Sequence, residues 1–229
     1  MLALNPRFAL AWAERAWVQL LWTADADKAQ AVLDEAARVP GIADDGGGLA
    51  WRRVLVALAR HDYQGALRQL EAEARSAFDN QLNYLPIPLL RGQVQILSGQ
   101  ADLARHSFEA ARLDLEQKIR TRPDDSRLHG SLGIAYAGLG QKQDAVREAR
   151  LGCELMPPSK DALVAIFRVW DLAHVYRLVG ENSEAIAALG DLRGLSIVTA
   201  HALRIDPRWD QLRSDPRFQA LLKDREVKP

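Results

Sequence analysis

One cysteine, Cys153, stands in the whole chain. No intrachain disulfide can form and nothing calls for an oxidising compartment, so the cytoplasm is the expected location. Neither sign of charge is in excess: 30 Lys and Arg meet 30 Asp and Glu, for a net charge of zero. A nucleic-acid binder normally carries a basic surplus that displaces counterions from phosphates, and nucleic acid is therefore not an expected partner. Long apolar runs are missing too. The uncharged stretch between Arg15 and Asp25 is about half the roughly 20 residues that cross a bilayer. The first seven residues show no basic segment, apolar core and small-residue cleavage site of a secretory leader. No membrane partner is expected.

Recognisable chemistry is equally sparse. The sequence holds no G-x-x-x-x-G-K-[ST] loop, no H-E-x-x-H and no G-x-G-x-x-G after a strand. Gly46-Gly47-Gly48 runs into Trp51-Arg52-Arg53, where a helix begins, and reads as a connector. Gly130-Ser131-Leu132-Gly133 lacks the glycine two residues before the serine that a nucleophile elbow needs. His61, His106, His129, His174 and His201 are scattered without paired ligand spacing, whereas a zinc site needs about four convergent ligands. Cys153 sits beside the small residue Gly152 and reads as an inert buried thiol. The expectation is a protein without catalysis, metal or cofactor.

What is present is a repeat. With 48% apolar and 26% charged residues the chain has the composition of a folded protein, and its small residues recur at fixed intervals. Val54, Gly92, Gly133 and Ala173 are each followed 12 residues on by an alanine: Ala66, Ala104, Ala145 and Ala185. The first unit, Ala16 to Ala29, has one extra residue in its turn. Two antiparallel helices approach closely only where both present small side chains, and the interval places one on each arm of a hairpin. Gly99, Gly140 and Gly180 close the first arm of three units, as the left-handed conformation at a helix end favours. Ala145, Ala149 and Gly152 then form a single stripe down the second arm, so each hairpin needs a neighbour.

The unit Ser126 to Ser159, with Leu132-Gly133, Tyr136, Gly140, Ala145, Ala149 and Pro157, resembles a tetratricopeptide repeat. Leu172-Ala173, Tyr176, Gly180, Ala185 and Leu189 make a second match. Gln19, Ala57 and Gln95 replace the tyrosine in the first three units, and His61 stands at a turn-glycine position. The resemblance implies an all-α, right-handed α-α superhelix: a solenoid of about five hairpins over residues 9–42, 47–80, 85–118, 126–159 and 166–199. Periods of 38, 38, 41 and 40 residues exceed the family's roughly 34. Longer second helices are expected, above all from Ala101 to Arg120.

Asp206-Pro207-Arg208-Trp209 and Asp215-Pro216-Arg217-Phe218 repeat one phrase nine residues apart. Asp before Pro is a helix start, the carboxylate capping free amides. Two short helices are expected, with Trp209, Leu212, Phe218, Leu221 and Leu222 along one side, as a capping segment over residues 200–229 for the last hairpin. The phrase resembles the closing segment of bacterial multidomain signalling proteins, where such an array follows a serine/threonine kinase, a winged-helix regulator or a nucleotide cyclase. Ala3-Leu4-Asn5-Pro6 reads like the end of a preceding repeat, which raises the expectation of a longer product or of lost leading repeats. The face around Leu2, Leu4, Phe8 and Trp12 would then dock a missing repeat or another copy of the chain.

The resemblance also implies where a partner binds: the first helices of successive hairpins line a concave face. The family's groove positions carried onto this chain include Trp17, Trp51, Leu55, Leu58, Gln93, Ile134, Trp170, His174 and Arg177. They are mostly apolar and aromatic, and they lack the lysine and asparagine with which some relatives grip a terminal carboxylate. The expected function is a protein-interaction scaffold taking a protein or peptide with an apolar segment. Two other classes stay open: the regulatory C-terminal region of a bacterial kinase or winged-helix regulator, and a small-molecule-binding solenoid with a polar cluster at Asp171, His174 and Arg177.

Overall fold

The computed structural model describes residue 2, residues 4–192 and residues 199–224. The described residues are almost all helical, with one small hairpin of strands among them, and the chain divides into two compact units, residues 1–74 with 194–229 and residues 75–193.

In the first unit, α1 (Ala9–Thr23) and α2 (Ala26–Ala37) form one helical hairpin, and α3 (Gly48–Ala59) and α4 (Tyr63–Glu71) form another. The small residues predicted to let the arms approach are out of contact with water: Ala16, Ala29 and Ala66 are fully buried. Asp25 and Asp62 cap the second arms by accepting from the backbone N–H of Lys28 and Gly65, which satisfies donors that a helix start leaves open. His61 adopts the left-handed conformation, φ 56°, where three other hairpins place glycine and the first places Ala24, so its turn forms at the cost of about 1 kcal/mol of backbone strain.

The tail belongs to this unit. It consists of α11 (Ala200–Ile205), a 3-10 turn over Pro207–Leu212 and α12 (Pro216–Asp224). α11 packs on α1, and the Thr199 hydroxyl donates to the Leu21 carbonyl. The repeated phrase has a repeated structure. Asp206 and Asp215 each accept from the backbone N–H two residues on, and Arg208 and Arg217 fold back onto those same carboxylates. Trp209 and Phe218 are fully buried. The first of the two expected helices is a 3-10 turn. Where the sequence places the tail over the last hairpin, the structure groups it with the first two.

The second unit holds three helical hairpins: α5 (Ile87–Leu97) with α6 (Ala101–Thr121), α7 (Ser126–Gly138) with α8 (Lys142–Leu155), and α9 (Ala162–Leu178) with α10 (Asn182–Asp191). The first arms pack in sequence, α5 on α7 and α7 on α9, and each second arm also touches the following first arm, α6 on α7 and α8 on α9. First arms therefore form one layer and second arms another. Ala104, Ala145 and Ala185 are fully buried at the hairpin contacts, and α6 runs 21 residues, past Ala111 as expected. α7 and α9 are buried around most of their circumference, which a helix with apolar residues on all sides requires.

One element departs from the helical expectation for residues 47–80. Beyond α4 the chain forms strands β1 (Ala77–Asp79) and β2 (Tyr84–Pro86), paired antiparallel with Phe78 opposite Leu85. The Asn80 side chain accepts from the backbone N–H groups of Leu82 and Asn83 and shapes the loop between them.

Candidate partner-binding site

In the first unit α1 and α3 pack side by side, and between them lies a half-buried aromatic and cationic surface. Trp17, Trp51 and Leu55 are half-buried and Leu58 is buried. The Arg52 guanidinium stands 4.8 Å over the Trp17 ring and donates at 2.9 Å to Glu14. Stacking a delocalised cation on an indole face and pairing it with a carboxylate holds the ring and both charges in place. Burial pushes the Arg52 pKa below its ordinary value, against the raising effect of Glu14. The outer side of α1 continues the apolar surface with Val18 and Trp22, 46% and 54% exposed. Neither Arg52 nor Trp22 emerged from the groove positions, although the Glu14, Trp17, Val18 and Trp22 spacing marks one side of a helix.

The corresponding positions of the second unit are closed. Gln93, Ile134, His174 and Arg177 are at most 9% exposed, and only Trp170 is half-buried. An open groove across the first arms, expected there, is not what the structure has. The strand hairpin is bound by side chains of α7 and α9. Arg127 of α7 binds the Asp79 carboxylate at 2.9 Å and also the Asn80 carbonyl. Ser131 donates to the Tyr84 carbonyl, and Arg168 of α9 donates to the Leu82 carbonyl at 2.8 Å. Tyr84 joins Leu89, Ile134 and Val175 in one core cluster. The chain thus spends three side-chain donors of its first arms on its own extended segment. The cluster weighed for a small molecule is likewise buried: Asp171, His174 and Arg177 are at most 8% exposed, with Arg177 Nη2 3.4 Å from His174 Nε2.

On the leading face, Trp12 is buried and its indole N–H donates at 2.7 Å to the Pro6 carbonyl, while Phe8 and Leu4 are exposed. Cys153 is half-buried, and burial, with Asp171 adding to it, pushes its thiol up to about 12, far from the thiolate that nucleophilic chemistry needs. Among the described residues no three His, Cys, Asp or Glu side chains gather as a metal site would require, and no helix is long and apolar enough to cross a membrane. Compared with known proteins, the chain matches no family model, no curated protein and no solved structure.

Proposed function

We propose that this chain is a non-catalytic protein-interaction module, a right-handed superhelical array of tetratricopeptide-like hairpins that receives an apolar partner segment on the first arms of its first two hairpins. The observation that carries this reading is the contrast in burial along the array. Trp17, Trp51 and Leu55 keep part of their surface in water, whereas the matching residues Gln93, Ile134, His174 and Arg177 do not. Half-exposed tryptophans supply large rigid contact area at little entropic cost, which makes them favoured anchors at interfaces. Arg52, fixed between Trp17 and Glu14, pre-organises that surface, and Val18 and Trp22 extend it along α1. A helical partner would pack on α1 as α3 does.

A selection from phage-displayed helical peptides on the intact chain tests this. Enriched sequences should carry apolar residues at three- and four-residue spacing. Their affinity, read by fluorescence anisotropy, should fall about tenfold or more in Trp17→Ala and Trp51→Ala. Peptides that bind both variants as tightly as the parent chain would show that the surface lies elsewhere.

A further inference from the structure

The outer layer of the second unit carries a cleft and a ridge that the reading above does not use. Between α8 and α10 lies an open cleft of about 860 Å³. Val146, Leu151 and Tyr176 line it together with the basic Lys142, Arg147 and Arg150 and the acidic Glu154, Glu181 and Glu184. At one end Lys142 and Glu181 form an ion pair across it.

The repeat itself shows what the cleft lacks. Tyr136 and Tyr176 occupy the same place in successive hairpins, 40 residues apart. The Tyr136 hydroxyl donates at 2.8 Å to Glu116, a carboxylate also held by Arg112 at 2.6 Å. At Tyr176 the arrangement is reversed: its hydroxyl oxygen accepts from Arg150 Nε and Nη2 at 3.1 and 2.9 Å. Among the described residues no carboxylate hydrogen-bonds to Tyr176 or forms an ion pair with Arg150; Glu154, one turn on in α8, acts on the Arg150 charge at longer range. The cause is helix length. α6 runs 21 residues and reaches Glu116, whereas α8 runs 14 and ends at Leu155, short of Pro157, the residue 41 positions on from Glu116. A phenol and a guanidinium side by side, in a lining that also holds Val146 and Leu151, are complementary to a carboxylate borne on an apolar helix.

The same layer offers such a helix. α6 turns Leu103, His106, Ala110, Leu113 and Gln117 outward, at the alternating three- and four-residue spacing of a coiled-coil seam. Leu103 and Leu113 are 53% and 56% exposed, and Asp102 and Glu109 flank them. Glu109 already binds Arg112, yet a carboxylate has lone pairs for a second donor. Ridge and cleft lie on neighbouring second arms of one layer, so a two-fold axis between two copies would seat both ridges at once, a closed and self-complementary arrangement.

We propose that this layer is where two copies of the chain meet, the α6 ridge of each lying in the α8–α10 cleft of the other, with Glu109 of one copy meeting the partner's Arg150 and the partner's Tyr176. Apolar contact at Leu103 and Leu113 supplies the attraction, and the charge pair sets the register.

Sedimentation equilibrium of the full chain up to roughly 200 μM, with variants at each half of the contact, decides the matter. The parent chain should dimerise. Leu113→Glu and Arg150→Glu should each weaken the dimer about tenfold or more, and Glu109→Arg combined with Arg150→Glu should restore most of the loss. All these side chains lie at the surface, and circular dichroism should show unchanged helix; if Leu113→Glu fails to fold, the charge-reversal pair carries the test alone. A chain that stays monomeric throughout overturns the proposal. So does a dimer indifferent to Leu113→Glu and Arg150→Glu, or one broken instead by Trp22→Glu on α1. Loss with Arg150→Glu that Glu109→Arg does not repair removes the assigned pairing.

Discussion

The His129 ring of α7 bridges to Glu148 of α8: Nδ1 lies 2.8 Å from the Glu148 carboxylate while Nε2 lies 2.8 Å from the Pro123 carbonyl. With Glu148 ionised both partners only accept hydrogen bonds, so the arrangement favours the ring with both nitrogens protonated. Burial by itself would lower the His129 pKa. The hydrogen bonds to Glu148 and Pro123 and the charges of Glu148 and Asp125 outweigh it, and the pKa lies above 6.5. The bond to His129 and the nearby Arg147 likewise hold Glu148 below 4.5.

The pH dependence follows from those directions. The His129 contribution is complete below about pH 6.5 and is lost as pH rises through the folded-state value; that of Glu148 is complete above about pH 4.5 and is lost as pH falls through its own. The pair stabilises the α7–α8 hairpin most between these limits. Between pH 6 and pH 9 the parent chain should lose about 1 kcal/mol more of its urea-unfolding free energy than His129→Gln does. Equal losses in the two proteins would mean that the ring is neutral at pH 6.

Gly133 offers a test of how closely the hairpin arms approach. A Cβ there would stand 2.9 Å from the Ala145 carbonyl oxygen and 3.0 Å from the Ala149 backbone nitrogen. Backbone atoms of a packed helix cannot yield cheaply, so Gly133→Ala should cost about 2–3 kcal/mol by separating α7 from α8. Gly140 differs: at φ +75° it has open space around its Cβ position, and Gly140→Ala should cost only the left-handed strain, about 1 kcal/mol. Urea titration of the two variants should rank them in that order. A Gly140→Ala loss equal to or larger than that of Gly133→Ala would contradict the close approach.

The interval from Gly133 to Ala145 shows what was legible in the residues. Small side chains 12 apart, an aspartate before a helix start and Asp-Pro-Arg said twice are local signals, and each appears in the structure where the spacing puts it. The strand hairpin was not legible in the same way. Its strands are three residues each, shorter than the four to eight over which alternation identifies a strand, and its signal is confined to the turn residues Asp79, Asn80 and Asn83. The candidate site was half legible. Trp17, Trp51 and Leu55 retain exposure, but the closure of Gln93, Ile134, His174 and Arg177 depends on long-range coverage. Local periodicity carries no information about which distant segment covers a helix. The tail is a parallel case: Thr199 reaches Leu21, 178 residues away, a pairing that no repeat interval encodes.

Arg168 is one of three side chains that seat the strand hairpin. It is 1% exposed. Its Nη2 donates to the Leu82 carbonyl at 2.8 Å and lies 3.3 Å from Asn83 Oδ1, besides meeting Asp171 at 3.0 Å. Nε and Nη1 are buried without a hydrogen-bond partner, so the guanidinium is desolvated at a cost that its bonds to the hairpin and to Asp171 must offset. Arg168→Met keeps much of the volume and removes those bonds, leaving the Leu82 carbonyl without its donor. The expected loss is about 3 kcal/mol. Hydrogen exchange distinguishes a seat from a spacer: the amides of Phe78 and Leu85, which pair across the strands, should exchange faster in Arg168→Met, while those of α1 and α2 keep their parent rates. If Phe78 and Leu85 stay protected, Arg127 and Ser131 alone hold the segment, because these are the other α7 and α9 side chains that bind its carbonyls.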